Sequence, residues 1–223
     1  MRGHFITFEG GEGSGKSTHA ATLAARLKSL GIEVVLTREP GGSPGAEIIR
    51  HIILSGIAKP LGSETEAILF AAARDDHVNN TIRPALEAGK WVICDRFIDS
   101  TRVYQGVLGK VDGKLIRGLE RVTVGDCFPE LTFLLDVPAA VGLARASRRR
   151  AKGATADRFE SESVEFHEHL RTAYRALAER EPKRIIVIDG RAPRDVVAER
   201  IWNAAQQRFQ PALEGRLAEA AAP

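Results

Sequence analysis

The chain has 223 residues, 43% of them hydrophobic and 27% charged, with a formal net charge of +3. This length supports one substantial core, so a single domain with small insertions is expected, and no apolar run approaches the roughly 20 residues of a membrane span. Cys94 and Cys127 stand alone without a C-x-x-C spacing, which suggests neither a disulfide framework nor a thiolate metal site and predicts reduced core thiols. With Met1–His4 leading directly into an apolar run, a cytoplasmic protein is expected.

The first element, His4–Phe8 closed by Glu9, predicts a buried strand. Gly10-Gly11-Glu12-Gly13-Ser14-Gly15-Lys16-Ser17 follows and fits G-x-x-x-x-G-K-[ST], and Ser17–Leu30 then carries apolar residues at helical spacing. Glycines that let the backbone curl around an anion aim successive N–H groups and a helix N-terminus at a phosphate. In that geometry Lys16 reaches the β/γ oxygens and Ser17 ligates Mg²⁺. A nucleoside triphosphate site is therefore expected at Gly10, Gly11, Glu12, Gly13, Ser14, Gly15, Lys16, Ser17 and Thr18.

A second strand, Glu33–Thr37, ends in Thr37-Arg38-Glu39-Pro40-Gly41-Gly42-Ser43, a composition that suits a tight turn or an anion-contacting loop, the turn being favoured on the residues alone. Helices are predicted over Ala46–Ser55 and Glu64–Ala88. The second carries Phe70 and Arg74 four residues apart beside three alanines, open enough for a flat group although a core role for Phe70 is the commoner outcome. The strand Trp91–Cys94 terminates in Asp95-Arg96. A carboxylate there is placed to organise Mg²⁺, directly or through water, and the guanidinium to clamp phosphate oxygens. The alternative role for Asp95 is to cap the following turn.

Helix Lys114–Val124, strand Leu131–Leu135 and helix Pro138–Arg150 come next. Arg145–Lys152 holds five cations in eight residues, which suits a solvated helix face, a nucleic-acid patch or a phosphate-grasping lid; without interleaved aromatics, nucleic acid ranks last. Helix Glu162–Glu181, strand Arg184–Ile188 and helix Pro193–Gln207 complete the pattern. Strand-helix alternation with near-continuous apolar strands predicts an α/β fold, a three-layer α/β/α sandwich around a five-stranded parallel sheet. Ligands then bind at the carboxyl ends of the strands, where Glu9, Arg38, Asp95 and Asp136 fall. Residues 1–210 are read as the domain, with a lid at about 147–160, and Pro211–Pro223 as a flexible tail.

The P-loop with its preceding Phe8-Glu9, Thr37-Arg38-Glu39-Pro40-Gly41-Gly42, Asp95-Arg96-Phe97 and Ser100-Thr101-Arg102-Val103-Tyr104-Gln105-Gly106 together resemble the bacterial thymidylate kinases, in order from about residue 3 to 205. The resemblance implies a P-loop nucleoside monophosphate kinase that moves the γ-phosphoryl group of ATP to dTMP with Mg²⁺, usually as a homodimer, with neither nucleic-acid nor membrane partners. Glu12 would address the sugar 3′-hydroxyl region, Arg96 and Arg38 the acceptor phosphate, and Phe70 would stack on thymine with Arg74 on its carbonyl edge. Ser100, Thr101 and Gln105 fall in the dTMP site, and Tyr104 would crowd the sugar 2′ position. Glu39 is a weaker candidate for Mg²⁺ or phosphate organisation. Lys16, Arg96 and Asp95 would serve the transfer, Asp95 by organising the metal and Arg96. One branch of the family carries an arginine within the P-loop; here those positions hold no cation, so the resemblance sends that role to the lid, with Arg149 or Arg158 leading. Phe97 replaces a frequent tyrosine, and Val103 replaces a small residue, a change expected to reshape the sugar pocket. Analogy puts adenine near Arg145 and Asp189-Gly190-Arg191-Ala192.

Overall fold

The computed structural model describes residues 2–151 and 158–214. Its five strands, β1 (Phe5–Glu9), β2 (Val34–Arg38), β3 (Trp91–Asp95), β4 (Leu131–Asp136) and β5 (Ile185–Asp189), form one sheet in the order β2-β3-β1-β4-β5. All four pairings are parallel. Phe8 lies opposite Asp95 and Glu9 opposite Leu134, so the central strands finish nearly level. Their ends form one rim, and the chain leaves β1 in one direction for β3 and β2 and in the other for β4 and β5. That reversal opens a crevice above β1.

Alternation along β1 sends side chains to opposite faces. Ile6 and Phe8 pack into a core with Leu23 and Leu27 of α1 (Lys16–Ser29) and Ile201 and Trp202 of α9 (Arg194–Arg208). Phe5 joins Val78, Ile82, Val92 and Phe97 on the other side. Thr7 shares that side, and its Oγ1 meets Thr132 Oγ1 at 2.7 Å, so two buried hydroxyls satisfy each other. The expectation of central, fully covered strands holds for β1, β3 and β4. At the sheet edges it is corrected: Leu36 of β2 and Val187 of β5 are 44% and 46% exposed, because an edge strand has one open flank.

The remaining helices are α2 (Pro44–Leu54), α3 (Gly62–His77), α4 (Arg83–Glu87), α5 (Ile98–Thr101), α6 (Gly113–Thr123), α7 (Ala139–Arg150) and α8 (Val164–Arg180). The long helix expected over Glu64–Ala88 is α3 and α4 joined by a π-helical turn, Val78–Ile82. The wide turn precedes Pro84, whose missing N–H interrupts the α-helical ladder. A further element was not expected: α5 runs straight into a π-helical segment, Arg102–Leu108.

The flexible tail does not begin at Pro211. Residues 210–214 form another helical turn and Leu213 is completely buried in the core with Phe209. Residues 215–223 of that expectation lie outside the described residues. Leu213→Ala should destabilise the protein by about 2–5 kcal/mol, read by urea denaturation, whereas a change within 1 kcal/mol would return position 213 to the tail.

Candidate active site

The loop between β1 and α1 is shaped by backbone crowding. Gly13 has φ 64°, and a Cβ there would lie 1.9 Å from Gly142 O on α7. Gly142 is equally confined, its own added Cβ falling 2.3 Å from Glu12 O. The loop therefore rests directly on the first turns of α7, and only glycine fits either position. Lys16, at the first turn of α1, is buried and donates from Nζ to Gly10 O (3.1 Å) and Gly11 O (2.9 Å). Burial, reinforced by the Arg96 charge, lowers its pKa. Ser17 and Thr18 are exposed at the helix start, and the Ser17 hydroxyl donates to Asp95 Oδ2.

At the end of β3, Arg96 takes the left-handed conformation, φ 67°, rare for a residue with a side chain. Its N–H donates to Phe8 O at 2.9 Å, which ties the turn to β1. The guanidinium donates to Glu12 Oε1, to Gly10 O (3.2 Å) and to Ser100 Oγ (3.4 Å). Burial alone raises the Glu12 pKa, but the Arg96 and Lys16 charges prevail and lower it to about 2, with Tyr104 OH donating to the same oxygen at 3.2 Å. Two expectations change here. Arg96 is organised by Glu12 and not by Asp95, whose carboxylate turns to Ser17. Glu12, expected toward a sugar hydroxyl, is held by Arg96 and Tyr104 in the free protein.

Beside this pair lies a recess lined by Phe70, Arg74, Phe97, Thr101, Tyr104 and Gln105. Phe70 is half-buried on its wall, not sealed in the core. Arg74 is 3% exposed and donates from Nε to Glu39 Oε2 (2.8 Å) and from Nη2 to Thr101 Oγ1 (3.0 Å). Glu39 meets His77 Nδ1 with its other oxygen at 3.1 Å. Its carboxylate is thereby committed to Arg74 and His77, which corrects its weaker assignment to metal or phosphate; it sets the orientation of Arg74. Gln105 is buried in the recess and its Oε1 has no hydrogen-bond partner. Val103 points away, into the cluster of Leu134, Leu170 and Tyr174, so its bulk does not line the recess, contrary to the expectation that it reshapes a sugar pocket there. Phe159, in the short turn Arg158–Ser161, closes another wall and meets the Tyr104 ring edge-on at 5.1 Å between centroids.

A second cleft, about 370 Å³, adjoins the first and is lined by Lys16, Ser17, Arg38, Arg50, Asp95 and Arg149 among others. Glu12, Glu39, Pro40 and Arg96 line both. Arg38 is exposed and pairs with Glu47 at 2.9 Å. The loop that carries it is a tight turn, with positive φ at Gly41 and Gly42, and it also forms a wall of the cleft. Of the two candidate lid arginines, Arg149 stands at the cleft; the Arg158 side chain and residues 152–157 lie outside what is described. Arg145 Nη1 donates to Gly190 O at 3.0 Å, which brings together the two segments matched by analogy to an adenine site. Asp136 is spent elsewhere, held by Arg171 (2.6 Å) and Arg175 (3.1 Å) of α8.

Sequence reasoning passed over Arg50, His77 and the use of Glu9. Arg50 follows Glu47 on α2 by three residues, on the face that meets the Arg38 loop, and its Nη1 donates to Pro40 O at 2.5 Å. That spacing was the available signal. For metal binding, the described residues offer no cluster of three or more carboxylates, histidines or cysteines. Ser17 and Asp95, two hard oxygen donors in mutual contact at the mouth of a phosphate loop, fit Mg²⁺, which keeps waters and takes its remaining ligands from substrate phosphates.

A phosphate cradle that opens directly into a recess suited to one planar base, on a five-stranded parallel sheet, defines a P-loop nucleoside monophosphate kinase. The family model for thymidylate kinase matches residues 8–201. Thymidylate kinase of Afipia carboxidovorans is 60% identical over 215 residues, which cover 96% of this chain and 94% of that protein. The Nitrobacter winogradskyi thymidylate kinase is 60% identical over 208 residues, 93% and 90% of the two chains. A crystal structure of thymidylate kinase from Ehrlichia chaffeensis superimposes with a TM-score of 0.73 at 34% identity, covering 92% of this chain and all of that one. The chain belongs to the thymidylate kinase family.

Glu39→Ala would strand the buried Arg74 cation and remove one of the two partners of fully buried His77, leaving Thr37 on its Nε2. A loss of about 3–5 kcal/mol is expected in urea unfolding. Unchanged stability would mean that Arg74 does not depend on Glu39.

Proposed function

We propose that the protein transfers the γ-phosphoryl group of ATP to dTMP, giving dTDP and ADP. The observation that carries this reading is that Glu12 and Arg96 line both recesses, so one ion pair stands at the junction where a donor and an acceptor phosphate would meet. Phosphoryl transfer has a loose transition state and asks chiefly for in-line placement and charge neutralisation. Lys16 turns from the Gly10 and Gly11 carbonyls to the triphosphate oxygens. Arg96 keeps its hold on Gly10 O and takes the acceptor phosphate; Arg38 and Arg50 approach from the α2 side and Arg149 from α7. Mg²⁺, held by Ser17 and by Asp95 directly or through water, supplies further neutralisation of phosphate charge. The acceptor is a phosphate with a second pKa near 6, already ionised at neutral pH, so no general base is required.

Base selection follows from the second recess. Thymine stacks on Phe70, Arg74 offers Nη1 to a ring carbonyl because its Nε and Nη2 are engaged, and Gln105 and Thr101 complete the edge. Tyr104, anchored on Glu12, crowds the sugar. ADP release should be fastest with dTMP, slower with dUMP by about 10–200-fold in kcat/KM for one lost methyl, and weaker still with dCMP, whose amino group would face Arg74. AMP and shikimate should give background rates. Equal ADP release with and without dTMP would replace the kinase reading with a nucleotide hydrolase or switch.

We also propose a homodimer in the cytoplasm, in keeping with two free, buried cysteines. Among the described residues no helix is long and apolar enough to cross a membrane. Ile48 and Ile52 of α2, Ile57 and Leu61 of the connection, and Ile68 of α3 are exposed, an apolar surface that a second copy would cover. Sedimentation equilibrium should give twice the 24.2 kDa chain mass, and Ile48→Glu with Ile68→Glu should give the monomer. A wild-type monomer at micromolar concentration would remove the dimer.

A further inference from the structure

Glu9 is the last residue of β1, on the same side of the strand as Phe5 and Thr7, and is 1% exposed. No lysine or arginine forms an ion pair with it among the described residues, yet its carboxylate is fully engaged. Oε1 accepts the backbone N–H groups of Phe97 (2.8 Å), directly after Arg96, and of Ser100 (3.1 Å), four residues after Arg96 in α5. Oε2 accepts the Ser100 hydroxyl (2.7 Å) and the Tyr174 hydroxyl from α8 (2.9 Å). Ser100 Oγ, with its proton committed to Glu9, keeps lone pairs for Arg96 Nη1 at 3.4 Å. The turn that aims Arg96 is thus tied at both ends to β1, by Phe8 O before it and by the Glu9 carboxylate after it.

We propose that Glu9 is a positioning residue for Arg96, holding the left-handed turn and the Ser100 hydroxyl so that the guanidinium is aimed where the acceptor phosphate enters. Left-handed backbone at a non-glycine residue is unfavourable and persists only where its surroundings impose it. Four donors converging on one carboxylate impose it here. An apolar residue would leave two backbone N–H groups and two hydroxyls unpaired. Glutamine keeps the shape and one acceptor oxygen, but its amide NH₂ would place a donor where Ser100 and Tyr174 both donate. Burial of the carboxylate, with the Asp99 charge adding to it, pushes the Glu9 pKa up to about 7 against the opposing pull of Arg96 and of the Ser100 and Phe97 hydrogen bonds.

The inference rests on Arg96 acting at the acceptor phosphate, and a double-mutant cycle separates the two claims. Glu9→Gln should lower kcat about 100-fold, the loss expected from misplacing a catalytic group by roughly 1 Å, and raise KM for dTMP while leaving KM for MgATP unchanged. In an Arg96→Ala background the same substitution should cost nothing further. Tyr174→Phe, which removes one donor and leaves the carboxylate in place, should lower kcat roughly 3–10-fold, the equivalent of one hydrogen bond, and that loss too should vanish without Arg96. It carries the cycle if Glu9→Gln fails to fold. An equal fractional loss with and without Arg96 would overturn the proposal and make Glu9 a general stabiliser. A normal kcat for Arg96→Ala itself would overturn the role of Arg96 and this inference with it.

Discussion

The ion pair between Glu12 and Arg96 is the interaction on which the remainder of the site depends. Both side chains are largely buried, and neither would be tolerated there alone, since an unpaired buried charge costs several kcal/mol. Each partner comes from a different part of the chain, Glu12 from the P-loop and Arg96 from the turn after β3. Their pairing joins the cleft proposed for the triphosphate to the recess proposed for the acceptor. Tyr104 and Ser100, both from the α5 and π-helical stretch, steady the two ends of the pair. An entering phosphate offers Arg96 a second anion without obliging it to leave the first, because a guanidinium presents five donors in a fixed fork.

The parallel sheet was readable because buried strands are written as short apolar runs, and all five are found within a residue or two of their expected positions. The P-loop was readable because its function constrains consecutive residues. What escaped was of two kinds. The helix from Ile98 through Leu108 has a π-helical second half, whose five-residue hydrogen-bond spacing has no characteristic apolar period, and the segment was visible only as a family motif. Partnerships across the chain were the other kind. Whether Glu39 faces a metal, a phosphate or a buried arginine depends on what lies 35 residues away, and nothing local in Arg-Glu-Pro-Gly-Gly decides it. The same holds for Glu9, whose four donors come from Phe97 after β3, Ser100 of α5 and Tyr174 of α8, and for Asp95, which adjoins Arg96 in sequence but turns its carboxylate to Ser17.

Chemistry and selectivity are divided between two kinds of scaffold. Of the groups proposed to neutralise phosphate charge, Lys16, Ser17, Arg38, Asp95 and Arg96 stand at or just beyond strand ends or at a helix start, on the sheet rim, whereas Arg50 and Arg149 reach in from α2 and the end of α7. The groups proposed to read the base, Phe70, Arg74, Thr101 and Gln105, come from α3 and from the α5 and π-helical stretch. Glu39 connects the two sets, reaching from the loop after β2 to hold Arg74, so that loop and the recess are one hydrogen-bonded unit.

The contact between Gly13 and Gly142 gives the site a mechanical property. With no side chain between the P-loop and α7, there is no rotamer that can absorb a displacement, and close-packed backbone transmits small shifts nearly undiminished. A displacement of the loop toward α7 would therefore press directly on the start of the helix that carries Arg148 and Arg149 at its far end.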